Sequence, residues 1–145
     1  MIFLDTGFLF ALVYADDVHH ARVREVLERY RGRPLAEFVV TTNHVLAETV
    51  TLILMKAGPD PRGRHELAVR VGQQIMAEVF GQLHHCTVDE ERAALAYLGR
   101  HQDKGYSFVD CVSFVIMDRL GIQEAFTVDG DFAHRFVALP GPLPR

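Results

Sequence analysis

Ile2-Phe3-Leu4-Asp5-Thr6-Gly7 opens the chain, and its reading decides the architecture. Ile2, Phe3 and Leu4 do not alternate with polar residues, so the strand they predict is covered on both faces, the situation of a parallel sheet with helices on each side. In open sheets of that kind, ligands gather beyond the carboxyl ends of the strands. Asp5 stands at such an end. Thr6-Gly7 then turns the chain into Phe8 to Ala15, an apolar stretch of helical length. Asp5 and Thr6 are also good helix N-caps, so a role for Asp5 depends on what else converges there.

Reading outward, strands and helices alternate. Asp16-Asp17 opens a helical pattern to about Tyr30, with Arg22, Arg29 and Arg33 on its outer face. Gly32-Arg33-Pro34 breaks it, and Phe38 to Thr41 reads as a second strand. Thr41-Thr42-Asn43 supplies capping chemistry for a helix from Val45 to about Ala57, stopped by Gly58-Pro59. Glu48 shares a stripe with His44, Thr51 and Met55 and is the only acid in a helix that reads as buried nearly all round. Pairing with His44 is the bland use of Glu48; facing Asp5 is the alternative, because an uncompensated buried carboxylate is expensive. Asp60-Pro61 starts a further helix reaching Val79 or Phe80. Leu83 to Val88 is a third strand carrying His84 and His85, both read as structural, and Asp89 caps a helix to about Gln102.

The second informative segment is Tyr106-Ser107-Phe108-Val109-Asp110-Cys111-Val112-Ser113. Ser107, Asp110 and Ser113 form a narrow polar stripe through a helix otherwise apolar all round. A capping box made by Ser107 and Asp110 accounts for part of that stripe. Gly121 ends the helix, Ala125 to Val128 is a fourth strand, and Asp129-Gly130-Asp131 follows at once. Again acids stand at the carboxyl end of a strand, although Asp-Gly-Asp is also simply a good turn. Phe136 to Leu139 reads as a last short strand before a proline-rich tail.

Composition narrows the options. At 145 residues, 49% of them hydrophobic, one domain spanning residues 1 to 145 is the simplest reading. No apolar run is long enough for a membrane span, and Met1 runs into a strand without a basic leader, so a cytoplasmic protein is expected. Cys86 and Cys111 read as small core residues, with neither the number nor the spacing of a zinc site. The net charge of −4 announces no general nucleic-acid binder. It remains compatible with an acid-lined site that recruits a cation and then meets phosphate.

Alternating strands and helices imply a parallel sheet, which brings Asp5 and Asp129 to one edge and lets Glu48 and Asp110 point in from flanking helices. Carboxylates ~4 to 5 Å apart repel by roughly 3 to 4 kcal/mol per pair at an effective dielectric near 20. Such a cluster is tolerable only when protonated or when it binds a cation. Oxygen donors without cysteine select Mg2+ or Mn2+, and a dication so held is suited to activating water against a phosphodiester.

Ile2-Phe3-Leu4-Asp5-Thr6, Thr42-Asn43-His44-Val45-Leu46-Ala47-Glu48-Thr49, Tyr106-Ser107-Phe108-Val109-Asp110-Cys111 and Thr127-Val128-Asp129-Gly130-Asp131-Phe132 together resemble the PIN-domain family, especially the VapC-like toxins of toxin–antitoxin pairs. The resemblance spans nearly the whole chain. It implies a three-layer α/β/α sandwich around a parallel sheet of about five strands, and a Mg2+- or Mn2+-dependent endoribonuclease. It further implies an RNA substrate, a homodimer and a cognate antitoxin. By that similarity Asp5, Glu48, Asp110 and Asp129 match the acidic quartet that is catalytic and holds metal. Asp131 matches a further metal position, and Thr6, Asn43 and Ser107 match accessory polar positions. Gly7 departs from the pattern, where Ser or Asn is common. Asp5-Thr6-Gly7 also spells the aspartic-protease signature, which the helical periodicity of most of the chain rejects. A phosphoacceptor receiver domain lacks its late lysine here, since Lys56 and Lys104 both precede the fourth strand. A non-catalytic PIN-fold binding module is the remaining alternative, and the intact acids argue against it.

Overall fold

The computed structural model describes residues 1–145. β1 (Ile2–Leu4) lies at the centre of a five-stranded sheet with β2 (Val39–Thr42), β3 (Gln82–His84), β4 (Glu124–Thr127) and β5 (Val137–Pro140). The order is β3-β2-β1-β4-β5, and every adjacent pair is parallel. The chain leaves β1 towards β2 and β3 on one side and later places β4 and β5 on the other. The switch point of the sheet is therefore at the end of β1, where Asp5 stands.

Seven helices cover this sheet: α1 (Thr6–Val13), α2 (His20–Glu28), α3 (Asn43–Lys56), α4 (Pro61–Met76), α5 (Val88–Arg100), α6 (Phe108–Leu120) and α7 (Gly130–Ala133). The run Ile2-Phe3-Leu4 is apolar throughout because it packs in both directions. Ile2 and Leu4 join a core with α1, α2 and α4, whereas Phe3 joins the opposite core with α5 and α6. The expected three-layer α/β/α sandwich is thus what forms. Helix α3 gives Val45 to the second core and Ile53 to the first, so it bridges the two layers at the carboxyl edge of the sheet. Glu48 lies between these anchors.

Local chemistry moves several expected boundaries. The helix read from Asp16 begins at His20, because the Asp17 carboxylate accepts from His19 N–H at 2.8 Å and holds a turn instead. Helix α4 stops at Met76, short of Val79: Glu78 adopts a φ of 59° and its carboxylate accepts from Leu83 N–H at 3.0 Å. Strand β3 ends at His84 because Cys86 N–H is captured by Asn43 Oδ1 at 2.8 Å and Thr87 then starts a helix. The cap of α5 is Thr87, which forms a capping box with Glu90, and Asp89 lies inside the helix. Helix α3 is not buried nearly all round, since Ala47, Thr51 and Met55 are exposed. The proline-rich tail is ordered by Arg22, whose guanidinium donates to the Gly141 and Pro140 carbonyls at 3.1 Å each.

Candidate active site

Asp5 is the N-cap residue of α1, yet its side chain makes no cap hydrogen bond. Its Oδ2 instead accepts from Thr127 Oγ1, at the end of the neighbouring strand, at 2.9 Å. The same hydroxyl oxygen accepts from Asp129 N–H at 3.0 Å, so one buried threonine fixes two of the acids. Sequence reading missed Thr127. The available signal was a hydroxyl at the last position of a strand, buried against the acids and in need of partners.

Asp110 arrives from the first turn of α6. Its Oδ2 accepts from Ser107 N–H at 2.7 Å while its own N–H donates to Ser107 Oγ at 3.1 Å, a complete capping box. One carboxylate oxygen is thus held by the helix end and the second is left for the cleft. Asp129 caps α7 by accepting from Asp131 N–H at 2.9 Å. Carboxylate oxygens of Asp110, Asp129 and Asp131 lie within 4.8 Å of one another. Glu48 is not paired with His44, whose Nε2 lies 2.9 Å from Glu91 Oε1 on α5. It lines the same cleft as Asp5, Thr6, Asp110 and Asp129, a space of about 400 Å³ whose wall also includes Gly7, Leu52, Val128 and Gly130. No lysine, arginine or histidine lines it.

The electrostatics follow from that wall. The Asp5 carboxyl is pushed up from 3.8 to about 7, chiefly by burial and further by the charges of Asp110 and Asp129, against the lowering effect of the Thr127 hydroxyl. Asp110 is also raised: burial pushes it up and the Ser107 hydrogen bonds pull it down, while Asp129 and Glu48 add to the rise. These acids are starved of positive charge. Thr6 Oγ1 is buried beside them with no hydrogen-bond partner. A donor set made only of oxygens, the lack of a basic side chain in the wall and an unsatisfied hydroxyl together fit a hard dication with bound water.

Two polar side chains near these acids have partners of their own. Asn43 accepts from Cys86 N–H through its side-chain oxygen at 2.8 Å and is not among the residues that line the acid cleft. Ser113 is fully buried and donates to the Val109 carbonyl at 2.8 Å, so the polar stripe of α6 ends at Asp110. Gly7 has a steric reason: a Cβ there would stand 3.0 Å from Val128 Cγ2 and 3.5 Å from Asp5 Oδ2. Val128 occupies the space a larger residue would need.

The PIN domain profile matches residues 2–135. This chain belongs to the PIN-domain family. It is 38% identical over 133 residues to the 23S rRNA-specific endonuclease VapC20 of Mycobacterium tuberculosis, covering 92% of each chain. A VapC ribonuclease of Archaeoglobus fulgidus is 32% identical over 123 residues, 83% of this chain and 72% of that protein. The crystal structure of M. tuberculosis VapC20, described as a sarcin-ricin loop cleaving toxin, superposes with a TM-score of 0.78 at 37% identity. That match covers 92% of this chain and 94% of the other. Sequence and fold thus place this PIN domain with the VapC ribonucleases.

Proposed function

We propose that this chain is a divalent-metal-dependent endoribonuclease, the toxin of a cytoplasmic toxin–antitoxin pair, whose catalytic acids are Asp5, Glu48, Asp110 and Asp129. The observation that carries the reading is the convergence of acids from β1, α3, α6 and the β4–α7 turn on one cleft without a basic residue. Those four carboxylates, with Asp131 at the margin, would hold Mg2+ or Mn2+, selected by their oxygen donors. When bound, such an ion supplies a more acidic water and offsets the charge that builds on a phosphate during in-line displacement.

The chain's own residues do the positioning. Thr127 fixes Asp5 and Ser107 fixes Asp110, so two of the cleft's carboxylates keep set orientations. Fixed orientation is worth rate, because misplacement of a reacting group by ~1 Å costs roughly 100-fold. Thr6 Oγ1, buried and unpartnered, is the hydroxyl available to orient a water or a phosphate oxygen. Protein partners have a surface to meet on: Leu46, Val50, Leu54, Ala68 and Val69 line an apolar groove between α3 and α4, with Met55 and Met76 exposed nearby. It supports a homodimer and an antitoxin as the expected associations.

The relative's named target directs the first assay. Purified protein is incubated with 23S rRNA and with a stem-loop carrying the sarcin-ricin sequence, in Mg2+ or Mn2+ and in EDTA. Metal-dependent cleavage at a defined bond supports the reading. Absence of cleavage on any RNA, with retained RNA binding, would move it to a non-catalytic PIN module.

A further inference from the structure

We propose that His84, Cys86 and Glu90 form a second metal site, for a borderline thiophilic dication such as Zn2+, at the carboxyl end of the edge strand β3. Their donor atoms, an imidazole nitrogen, the thiol sulfur and a carboxylate oxygen, all lie within 4.8 Å of one another. Three different local devices bring them there. His84 ends β3 in register with Thr42. Cys86 follows in a loop whose backbone is pinned by Asn43 Oδ1. Glu90 reaches back from the first turn of α5, its Oε2 accepting from Thr87 N–H at 2.8 Å and facing His84 Nε2 at 2.9 Å.

A capping box with an attached histidine explains two members of this cluster. The Cys86 thiol, half-buried against the core beneath α5 and α6 and hydrogen-bonded to Thr42, faces the same point as the third donor. In a tetrahedral zinc site, bond lengths of about 2.0 to 2.3 Å set neighbouring donors roughly 3.3 to 3.6 Å apart. The His84–Glu90 separation therefore has to open by only a few tenths of an ångström, and the Thr87 N–H can stay on its carboxylate oxygen. Nitrogen, sulfur and oxygen together suit zinc, whereas the acid cleft offers oxygen alone. Solvent reaches His84 and Cys86, which leaves room for water as the fourth ligand.

Protons and charges balance. Binding would release the Cys86 thiol proton and shift the imidazole proton from the nitrogen that faces Glu90 to the other ring nitrogen, and the ionised Glu90 completes a set whose two negative charges neutralise the dication. Arg119, 3.6 Å from Glu90 Oε1, remains on the other carboxylate oxygen. The site clips a three-residue edge strand to α5 and rests in no way on the nuclease reading.

Co2+ is the probe, titrated into the reduced full chain in excess Mg2+ so that oxygen-only sites do not compete. The expected result is a thiolate-to-Co2+ charge-transfer band in the near ultraviolet, bleached by Zn2+ and absent in Cys86→Ser. His84→Asn, tested separately so that one poorly folded variant does not decide the matter, should weaken Co2+ binding at least ~10-fold. No band in the wild type overturns the site. A band that survives Cys86→Ser, which would report Cys111, or unchanged affinity in His84→Asn, overturns it equally.

Discussion

Two helices of this protein begin with the same device and use it for opposite ends. At α5, Thr87 and Glu90 form a capping box; at α6, Ser107 and Asp110 form another. Burial pushes both acids up. At Glu90 the Thr87 N–H and His84 outweigh burial and bring the carboxyl below its ordinary range. At Asp110 the corresponding Ser107 hydrogen bonds do not suffice, because Asp129 and Glu48 add to burial where His84 opposed it. The local motif is equal; the neighbours decide. A helix cap whose acid meets hydrogen-bond donors stabilises that acid, and one whose acid meets other acids leaves a demand for a cation.

The sharpest way to break this comparison is to remove one charge and keep the cap. Asp110→Asn retains an oxygen for Ser107 N–H, so folding should survive while RNA cleavage falls at least ~100-fold, measured as kcat/KM on the stem-loop. Cleavage within a few-fold of wild type would mean that Asp110 is only a cap.

Next in size is the response to pH. Folded Asp5 titrates near 7 against an ordinary 3.8, so between those values the unfolded chain gives up a proton that the folded chain keeps. Metal-free stability should therefore fall as pH rises from about 4 to about 7 and level off above, as far as this group decides. Asp5→Asn should flatten that slope and, at pH 8 in EDTA, stabilise by on the order of 2 kcal/mol, since it removes a charge that is costly to bury. Denaturant melts at several pH values check both. In the wild type, added Mn2+ should raise Tm more at pH 8 than at pH 5.

Smaller effects sharpen the contrast. Thr127→Val keeps the shape but deletes the hydroxyl that holds Asp5, a loss of roughly 1 to 2 kcal/mol in positioning, or about tenfold in kcat. The matched pair Thr87→Ala and Ser107→Ala should each cost about 1 kcal/mol of stability. Only Ser107→Ala should also slow cleavage, by a few-fold, because its hydroxyl sets the first turn that carries Asp110. Equal kinetics in the two variants would contradict the assignment of different duties to the two caps.

Much of the fold was legible because its decisive signals are local. Ile2-Phe3-Leu4 reads as a doubly covered strand, Gly121 as the end of α6 with its φ of 65°, and Asp60-Pro61 as the start of α4. The grouping of Asp5, Glu48, Asp110 and Asp129 around one cleft was legible from strand ends and helix stripes. What escaped depends on partners far along the chain. Asn43 is engaged by Cys86, 43 residues away, and Thr127 meets Asp5 across 122. Helix α3 read as buried nearly all round because its apolar residues outnumber those that face a core; Ala47, Thr51 and Met55 are exposed.

The central claim is that side chains from four separate elements make one seat for a hard dication. Crystals of the protein soaked in Mn2+ and measured at a wavelength where manganese scatters anomalously test it most directly. The account predicts an anomalous peak within ligand distance of Asp5, Asp110 and Asp129, lost in Asp5→Asn. A cleft free of anomalous signal at saturating Mn2+, or a peak that persists in Asp5→Asn, would contradict it.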